Sequence, residues 1–197
     1  MPKHCLVMKT MSEQEALEIF RASGALLDGH FVLRSGLHSR QFFQCALALQ
    51  EMPVVERLGG ALADQVRHLP IRTVVAPAMG GLVLGQEVAR QLRVRFIFVE
   101  KEEGKLVLRR GFKMEPGESI LVVEDVVTKG GRVQETLDIV KRHQGKVEGV
   151  AVMVDRSGGA VDFGVPFFTI LRMNVETFDP DHLPEDLAGS PAVKPGS

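Results

Sequence analysis

The chain has 197 residues, of which 45% are hydrophobic, and a formal net charge of −1. This length is enough for one sizeable core with a small appendage. The near-neutral charge provides no global field that would recruit nucleic acid or an anionic membrane, so neither is expected as a partner. No apolar run approaches the roughly 20 residues that a bilayer-spanning helix needs. Two cysteines, Cys5 and Cys45, favour a reducing cytoplasm over a disulfide scaffold.

The N-terminal part contains one helix and two strand patterns. Ser12 to Glu15 has the pattern of a capping box, and the helix that it opens should end at Ser23-Gly24. Phe31 to Gly36 is typical of a strand that runs into a turn, and Gln41 to Gln44 of a second strand. We expect residues 1–52 to form a helix and a small hood over the core, with an extended or disordered start.

Helices and strands alternate through residues 53–175 and predict an α/β fold with a mostly parallel central sheet flanked by helices. The spacing of apolar residues predicts helices over residues 54–67, over 84–92 and from 133 onwards. Short apolar runs predict five strands, at residues 73–76, 95–99, 120–123, 147–154 and 167–171. Residues 100–118 predict an exposed hairpin or a mobile loop, and residues 176–197 a surface tail.

The segment from Ile120 to Arg132 is the most informative part of the sequence. Its four apolar residues predict a buried strand, Glu124 and Asp125 stand where that strand should end, and Thr128 and two glycines precede a helix. A strand, a glycine turn and a helix N-terminus form an anion site, because unpaired amides converge there with the helix dipole behind them. The acids would repel phosphate but would accept hydroxyls or a metal ion. A sugar phosphate satisfies both requirements.

Three other segments carry candidate groups, each with an ordinary structural alternative. Gly80-Gly81 is either a second anion loop or a simple tight turn. Arg156 is either a surface partner of Asp155 or a planar fork for a carboxylate or ring oxygen. A basic cluster is either a solvated face or part of a loop that closes over pyrophosphate, and its members are Lys101, Lys105, Arg109 and Arg110.

Several kinds of chemistry lack support in the sequence. There is neither a Walker A loop nor a Gly-x-Gly-x-x-Gly pattern after the first strand, so dinucleotide binding is poorly supported. The histidines lack the paired spacing of metal ligands, and Cys45 is more typical of a small buried side chain than of a nucleophile.

Together these motifs resemble the type I phosphoribosyltransferases. Residues 122–131 are similar to their phosphoribosyl-pyrophosphate motif, and residues 29–44, 77–81 and 155–156 are similar to segments of orotate phosphoribosyltransferases. The resemblance implies transfer of the phosphoribosyl group from 5-phosphoribosyl 1-diphosphate (PRPP) to orotate, giving orotidine 5′-phosphate and pyrophosphate in pyrimidine biosynthesis. It also implies Mg²⁺ as cofactor, a cytoplasmic location, and a homodimer in which the basic loop reaches the neighbouring site.

By the same resemblance, each matching residue receives a role. Glu124 and Asp125 would hold the ribose hydroxyls, Arg156 would meet orotate, and Asp125 would be catalytic together with Lys101 and Lys105. The 5′-phosphate would be held by Thr128, Lys129, Gly130, Gly131 and Arg132. Further substrate-binding candidates are Arg34, Phe42, Phe43, Met79, Gly80 and Gly81. Magnesium would be held mainly by the substrate, with water-mediated contact to Glu124 or Asp125, so no protein ligand to the metal is assigned.

Departures from the family pattern leave two alternatives open. Gly80 stands where many members carry a lysine, and the catalytic-loop histidine is missing between Lys101 and Gly111. Lys129 and Arg132 replace small residues or hydroxyls in the phosphate loop. A ligand-sensing or regulatory protein without turnover would fit these changes, and so would a phosphoribosyltransferase for a purine or other base.

Overall fold

The computed structural model describes residues 11–33 and 35–195, and it contains a two-stranded and a six-stranded sheet. The helices are α1 (Glu13–Ala22), α2 (Cys45–Leu49), α3 (Met52–Val66), α4 (Gly81–Leu92), α5 (Gly131–Arg142) and α6 (Glu185–Ala188). The strands are β1 (Leu26–Val32), β2 (His38–Phe43), β3 (Thr73–Pro77), β4 (Arg95–Glu102), β5 (Lys105–Leu108), β6 (Ser119–Val127), β7 (Lys146–Asp155) and β8 (Phe167–Arg172).

The central sheet confirms the predicted α/β fold. Its strand order is β5-β4-β3-β6-β7-β8, and only the edge strand β5 runs antiparallel to its neighbour. Buried side chains form two apolar clusters, one shared with α1 to α4 and the other with α5. The sheet is therefore covered on both faces, which explains why its inner strands are continuous apolar runs.

Strand β6 is longer than the sequence predicted. The prediction that it ends at Glu124 and Asp125 is wrong, because Val126 and Val127 continue the ladder opposite Val154 and Asp155 of β7. Valine favours the extended conformation, and pairing with β7 satisfies its backbone groups. Both acids thus lie within a strand, which fixes their direction more firmly than a loop would.

The N-terminal part forms α1 and a separate hairpin. The capping box is confirmed, since the Ser12 side chain accepts from the Glu15 amide while the Glu15 carboxylate accepts from the Ser12 amide. Strands β1 and β2 pair antiparallel, and both begin earlier than predicted, while β1 ends at Val32 and β2 at Phe43. The C-terminal segment crosses this hairpin, with Val193 bridging to β1 and Phe178 to β2. The predictions for residues 1–10 and for Arg34 lie outside the described residues.

Residues 100–118 contain the predicted hairpin, formed by the end of β4 and by β5. Leu106 is buried in the hairpin, and its amide donates to the Glu135 carboxylate of α5 at 2.6 Å. Helix α2 was not predicted. Within the described ranges, no helix combines the length and apolar character that crossing a bilayer requires.

Candidate active site

The sheet order brings the main candidate segments to one edge. Strands β3, β6 and β7 are direct neighbours, so the segments that follow them lie side by side at their carboxyl ends. Gly80-Gly81 follows β3, the phosphate turn follows β6, and Arg156 follows β7. Ligands of open α/β sheets bind at this edge as a rule. The prediction that two glycine turns stand at neighbouring strand ends is therefore confirmed.

The phosphate turn, Thr128 to Arg132, has the geometry of an anion site. Residues 124–133 line a cavity of about 420 Å³. Gly130 has a φ of +75°, in the left-handed region where glycine is favoured, and α5 begins directly after it without a side-chain cap. Among the described residues, the amides of Thr128, Lys129 and Gly130 have no acceptor. These donors, with the N-terminal end of a 12-residue helix behind them, remain available for a phosphate.

Glu124 and Asp125 differ sharply in environment. Glu124 is only 1% exposed, and its Oε1 accepts from the Asp125 amide at 3.0 Å. Its Oε2 is buried without a hydrogen-bond partner among the described residues. Burial, reinforced by the charge of Asp125, raises the pKa of Glu124 to about 9. Asp125 is half-buried, and its Oδ1 accepts from the Val126 amide at 2.7 Å. Burial therefore favours the neutral, protonated form of Glu124.

The second glycine turn packs directly on these acids. A Cβ at Gly80 would lie 2.8 Å from both carboxylate oxygens of Asp125, and a Cβ at Gly81 would lie 3.2 Å from Oε1 of Glu124. Gly80 has helical dihedral angles, φ −55° and ψ −47°, so a side chain here would be opposed by the Asp125 carboxylate and not by backbone conformation. The N-terminus of α4 consequently faces the acids, where its dipole favours negative charge. Met79, just before it, is 78% exposed.

Arg156 does not form the surface ion pair with Asp155 that was its structural alternative. Asp155 instead accepts from the Ser157 amide at 2.9 Å and lies 3.9 Å from Arg172. The Nε of Arg156 is buried without a hydrogen-bond partner in the described chain, and burial lowers the pKa of its guanidinium. An unpaired buried donor on a cation is costly, so this geometry calls for an acceptor from outside the chain.

Cys45 lies near the same groups. The thiol is buried, and burial, with the charge of Asp125 adding to it, raises its pKa well above the ordinary value. A thiol held in its neutral form is a poor nucleophile. Cys45 therefore contributes a small uncharged side chain near the acids and Arg156.

The structure places the remaining candidates outside the phosphate cavity. The Phe43 ring packs edge-on against Phe20 in the core at 4.9 Å, and the Phe42 ring lies 5.7 Å from Phe31. A direct role of Phe43 is thus confined to its backbone. Lys101 and Lys105 are exposed on the β4–β5 hairpin without a carboxylate within 4 Å in the described ranges. Two other basic side chains of the hairpin are engaged, Arg109 with Glu102 and Arg110 with Glu100.

A larger cavity, of about 640 Å³, lies between the β1–β2 hairpin and the C-terminal segment. None of the candidate residues lines it. Three of its charged residues pair with one another, since Arg40 binds Asp186 and Glu176. His30, which lines this cavity, also contacts His38, with 2.5 Å between its Nε2 and the Nδ1 of His38. The histidine spacing in the sequence gave no sign of this pair, because hairpin register brings the two rings together.

Comparison with known proteins agrees with this geometry. Residues 47–183 match the model of the phosphoribosyl transferase domain, and the chain belongs to the phosphoribosyltransferase family. Orotate phosphoribosyltransferase of Desulforamulus reducens is 49% identical over 187 residues, which cover 95% of this chain and 98% of the relative. That of Heliobacterium modesticaldum is 50% identical over 190 residues, covering 95% and 99%. Within the family, this chain groups with the orotate phosphoribosyltransferases.

Solved structures show the same fold at lower sequence identity. The orotate phosphoribosyltransferase of Mycobacterium tuberculosis H37Rv, in complex with inorganic phosphate, is similar with a TM-score of 0.67 at 19% identity, covering 81% of this chain and 95% of that one. The adenine phosphoribosyltransferase of Rhodothermus marinus gives a TM-score of 0.62 at 23% identity, covering 81% and 99%. The fold therefore does not by itself distinguish the acceptor base.

Proposed function

We propose that this enzyme transfers the phosphoribosyl group from PRPP to orotate, giving orotidine 5′-phosphate and pyrophosphate. Arg156 is the observation that favours orotate as the acceptor. Its buried Nε lacks a partner within the described residues, and it follows a strand next to the one that holds the acids. Orotate bears a carboxylate at neutral pH, and a guanidinium binds a carboxylate with matched geometry. The relatives that are 49% and 50% identical to this chain are named for this activity.

The donor fits the rest of the site. The free amides of the phosphate turn would bind the 5′-phosphate, with Lys129 and Arg132 adding positive charge at its exposed side. Asp125 would accept hydrogen bonds from the ribose hydroxyls. Glu124, when protonated, would donate to one of them through its unpaired Oε2 and accept as a carboxylate once the proton leaves.

Positioning accounts for the chemistry without a protein nucleophile. Orotate is already anionic, so the reaction needs an acceptor held in line with the anomeric carbon, stabilisation of the departing charge and exclusion of water. Arg156 would fix the acceptor, and Asp125 would hold the ribose as positive charge develops on its ring. Lys101 and Lys105, which are exposed and unpaired in the described chain, would approach the departing pyrophosphate.

Magnesium fits this donor set, since Mg²⁺ prefers oxygen ligands and usually keeps several waters. The accessible carboxylate oxygens of Asp125 would hold it through water, while the diphosphate would supply direct ligands. Bound there, the ion would supply charge neutralisation for the leaving group. We further propose a cytoplasmic homodimer in which the β4–β5 hairpin completes the neighbouring site.

The test is a panel of acceptors with the purified protein, PRPP and Mg²⁺, followed by absorbance and by product mass. We expect turnover with orotate and little with uracil, which lacks the carboxylate that would meet Arg156. Turnover with adenine or another purine and none with orotate would replace the proposed acceptor. Binding of PRPP without turnover of any base would favour the ligand-sensing alternative.

A further inference from the structure

The phosphate turn is backed by a segment that the sequence analysis did not single out. Residues 157–165, the backing segment, connect β7 to β8. Two of its side chains lie against Gly130: a Cβ built there would come within 3.1 Å of both Phe163 Cε1 and Val161 Cγ1. The left-handed residue of the turn is therefore in close contact with an apolar wall.

This wall contacts the turn where hydrogen bonds do not hold it. In the described chain, α5 has no side-chain cap, and the turn's own amides make no hydrogen bond that would fix its shape. The backing segment is itself well held. Phe163 packs edge-on against Phe167 at 5.4 Å, and the Gly164 amide donates to Asp162 at 2.8 Å. The phosphate turn, which has few hydrogen bonds of its own, thus packs against a Phe163 ring that Phe167 of β8 holds in place.

We propose that Phe163 is a positioning residue for the donor phosphate, acting through Gly130. It keeps the amides of the turn converging, although its own ring need not touch the ligand. This inference rests on the proposed function, since it takes the turn as the site of the 5′-phosphate. The acceptor side should be affected less, because the Arg156 amide donates to the Val127 carbonyl at 2.8 Å and so is held by the sheet.

The test compares Phe163→Ala and Phe163→Leu with the matched variant Phe168→Ala. Phe168 is also half-buried, but it contacts Gly149 and lies near the His68 ring instead of the turn. We expect Phe163→Ala to raise the KM for PRPP about tenfold, since small displacements of binding groups have effects of this size. The kcat and the KM for orotate should change less than about twofold, and Phe163→Leu, which keeps apolar volume, should restore most of the loss.

Binding of ribose 5-phosphate, measured by calorimetry without orotate, gives a second reading that does not depend on turnover. Phe163→Ala should bind it about tenfold more weakly, and Phe168→Ala should bind it as the wild type does. Should Phe163→Ala not fold, Phe163→Leu replaces it with a smaller loss expected in the same direction. Wild-type affinity in Phe163→Ala, or in Phe163→Leu where that variant has to replace it, or equal losses in Phe168→Ala, would overturn the inference. Failure of the proposed function would look different, because the wild-type protein itself would then transfer nothing to orotate.

Discussion

Replacing Gly80 by alanine tests the contact between the start of α4 and Asp125. The dihedral angles of Gly80 are helical, so alanine introduces no backbone strain. Its methyl group would lie 2.8 Å from both carboxylate oxygens of Asp125, whereas ordinary contact begins at 3.4 Å. Either Asp125 or the start of α4 must therefore shift by about 0.6 Å. Asp125 is the easier group to displace, because its side chain is half-buried and α4 is packed along its length.

We expect kcat/KM for PRPP to fall by about tenfold to a hundredfold, since misplacing a catalytic group by 1 Å can cost about a hundredfold. That loss equals about 1.4 to 2.7 kcal/mol of transition-state stabilisation. Initial rates of orotate consumption measure it, with circular dichroism to confirm folding. Gly60→Ala is the control, because its methyl group would meet nothing closer than 3.8 Å, and it should keep full activity. A Gly80→Ala enzyme with wild-type kcat/KM would refute the argument that this contact sets the position of Asp125.

Three further predictions concern the charged groups of the site. Asp125→Asn should lower kcat severely with the fold kept. Glu124→Gln imitates the neutral acid, so its kcat should fall by less than about tenfold. Equal losses of kcat in the two variants would contradict a neutral Glu124. Because the pKa of Glu124 is raised in the folded state, its contribution to stability is complete below 4.5 and is lost as pH rises towards about 9. The melting temperature of the wild type should therefore fall more steeply than that of Glu124→Gln over this range, and parallel curves would count against the raised pKa. Arg156→Gln should raise the KM for orotate at least about tenfold and leave that for PRPP unchanged, because a lost charge-assisted bond costs about 1.5–3 kcal/mol. The control Arg172→Gln, at an exposed residue, should change neither the KM for orotate nor that for PRPP.

The sequence predicted those parts of the site that depend on local pattern. The strand, turn and helix between Ile120 and Val140 carry their own apolar periodicity and glycine, so they could be located without knowledge of the fold. The role of Arg156 was harder to predict, because only the sheet order shows that β7 lies beside β6. Only the structure shows that Asp155 accepts from the Ser157 amide and does not pair with Arg156. The contacts of Gly80 with Asp125 and of Phe163 with Gly130 join distant parts of the chain. No window of sequence contains them, because they arise from how elements pack.

The burial of the acids helps to explain why two carboxylates lie beside a proposed phosphate site. Two full charges would oppose an anion, but burial raises the pKa of Glu124 and so favours its neutral form. Asp125 lies against the N-terminus of α4, whose dipole favours negative charge. Lys129 and Arg132 add two exposed cations to the same cavity. We therefore expect these two residues, which depart from the family pattern, to favour phosphate binding electrostatically.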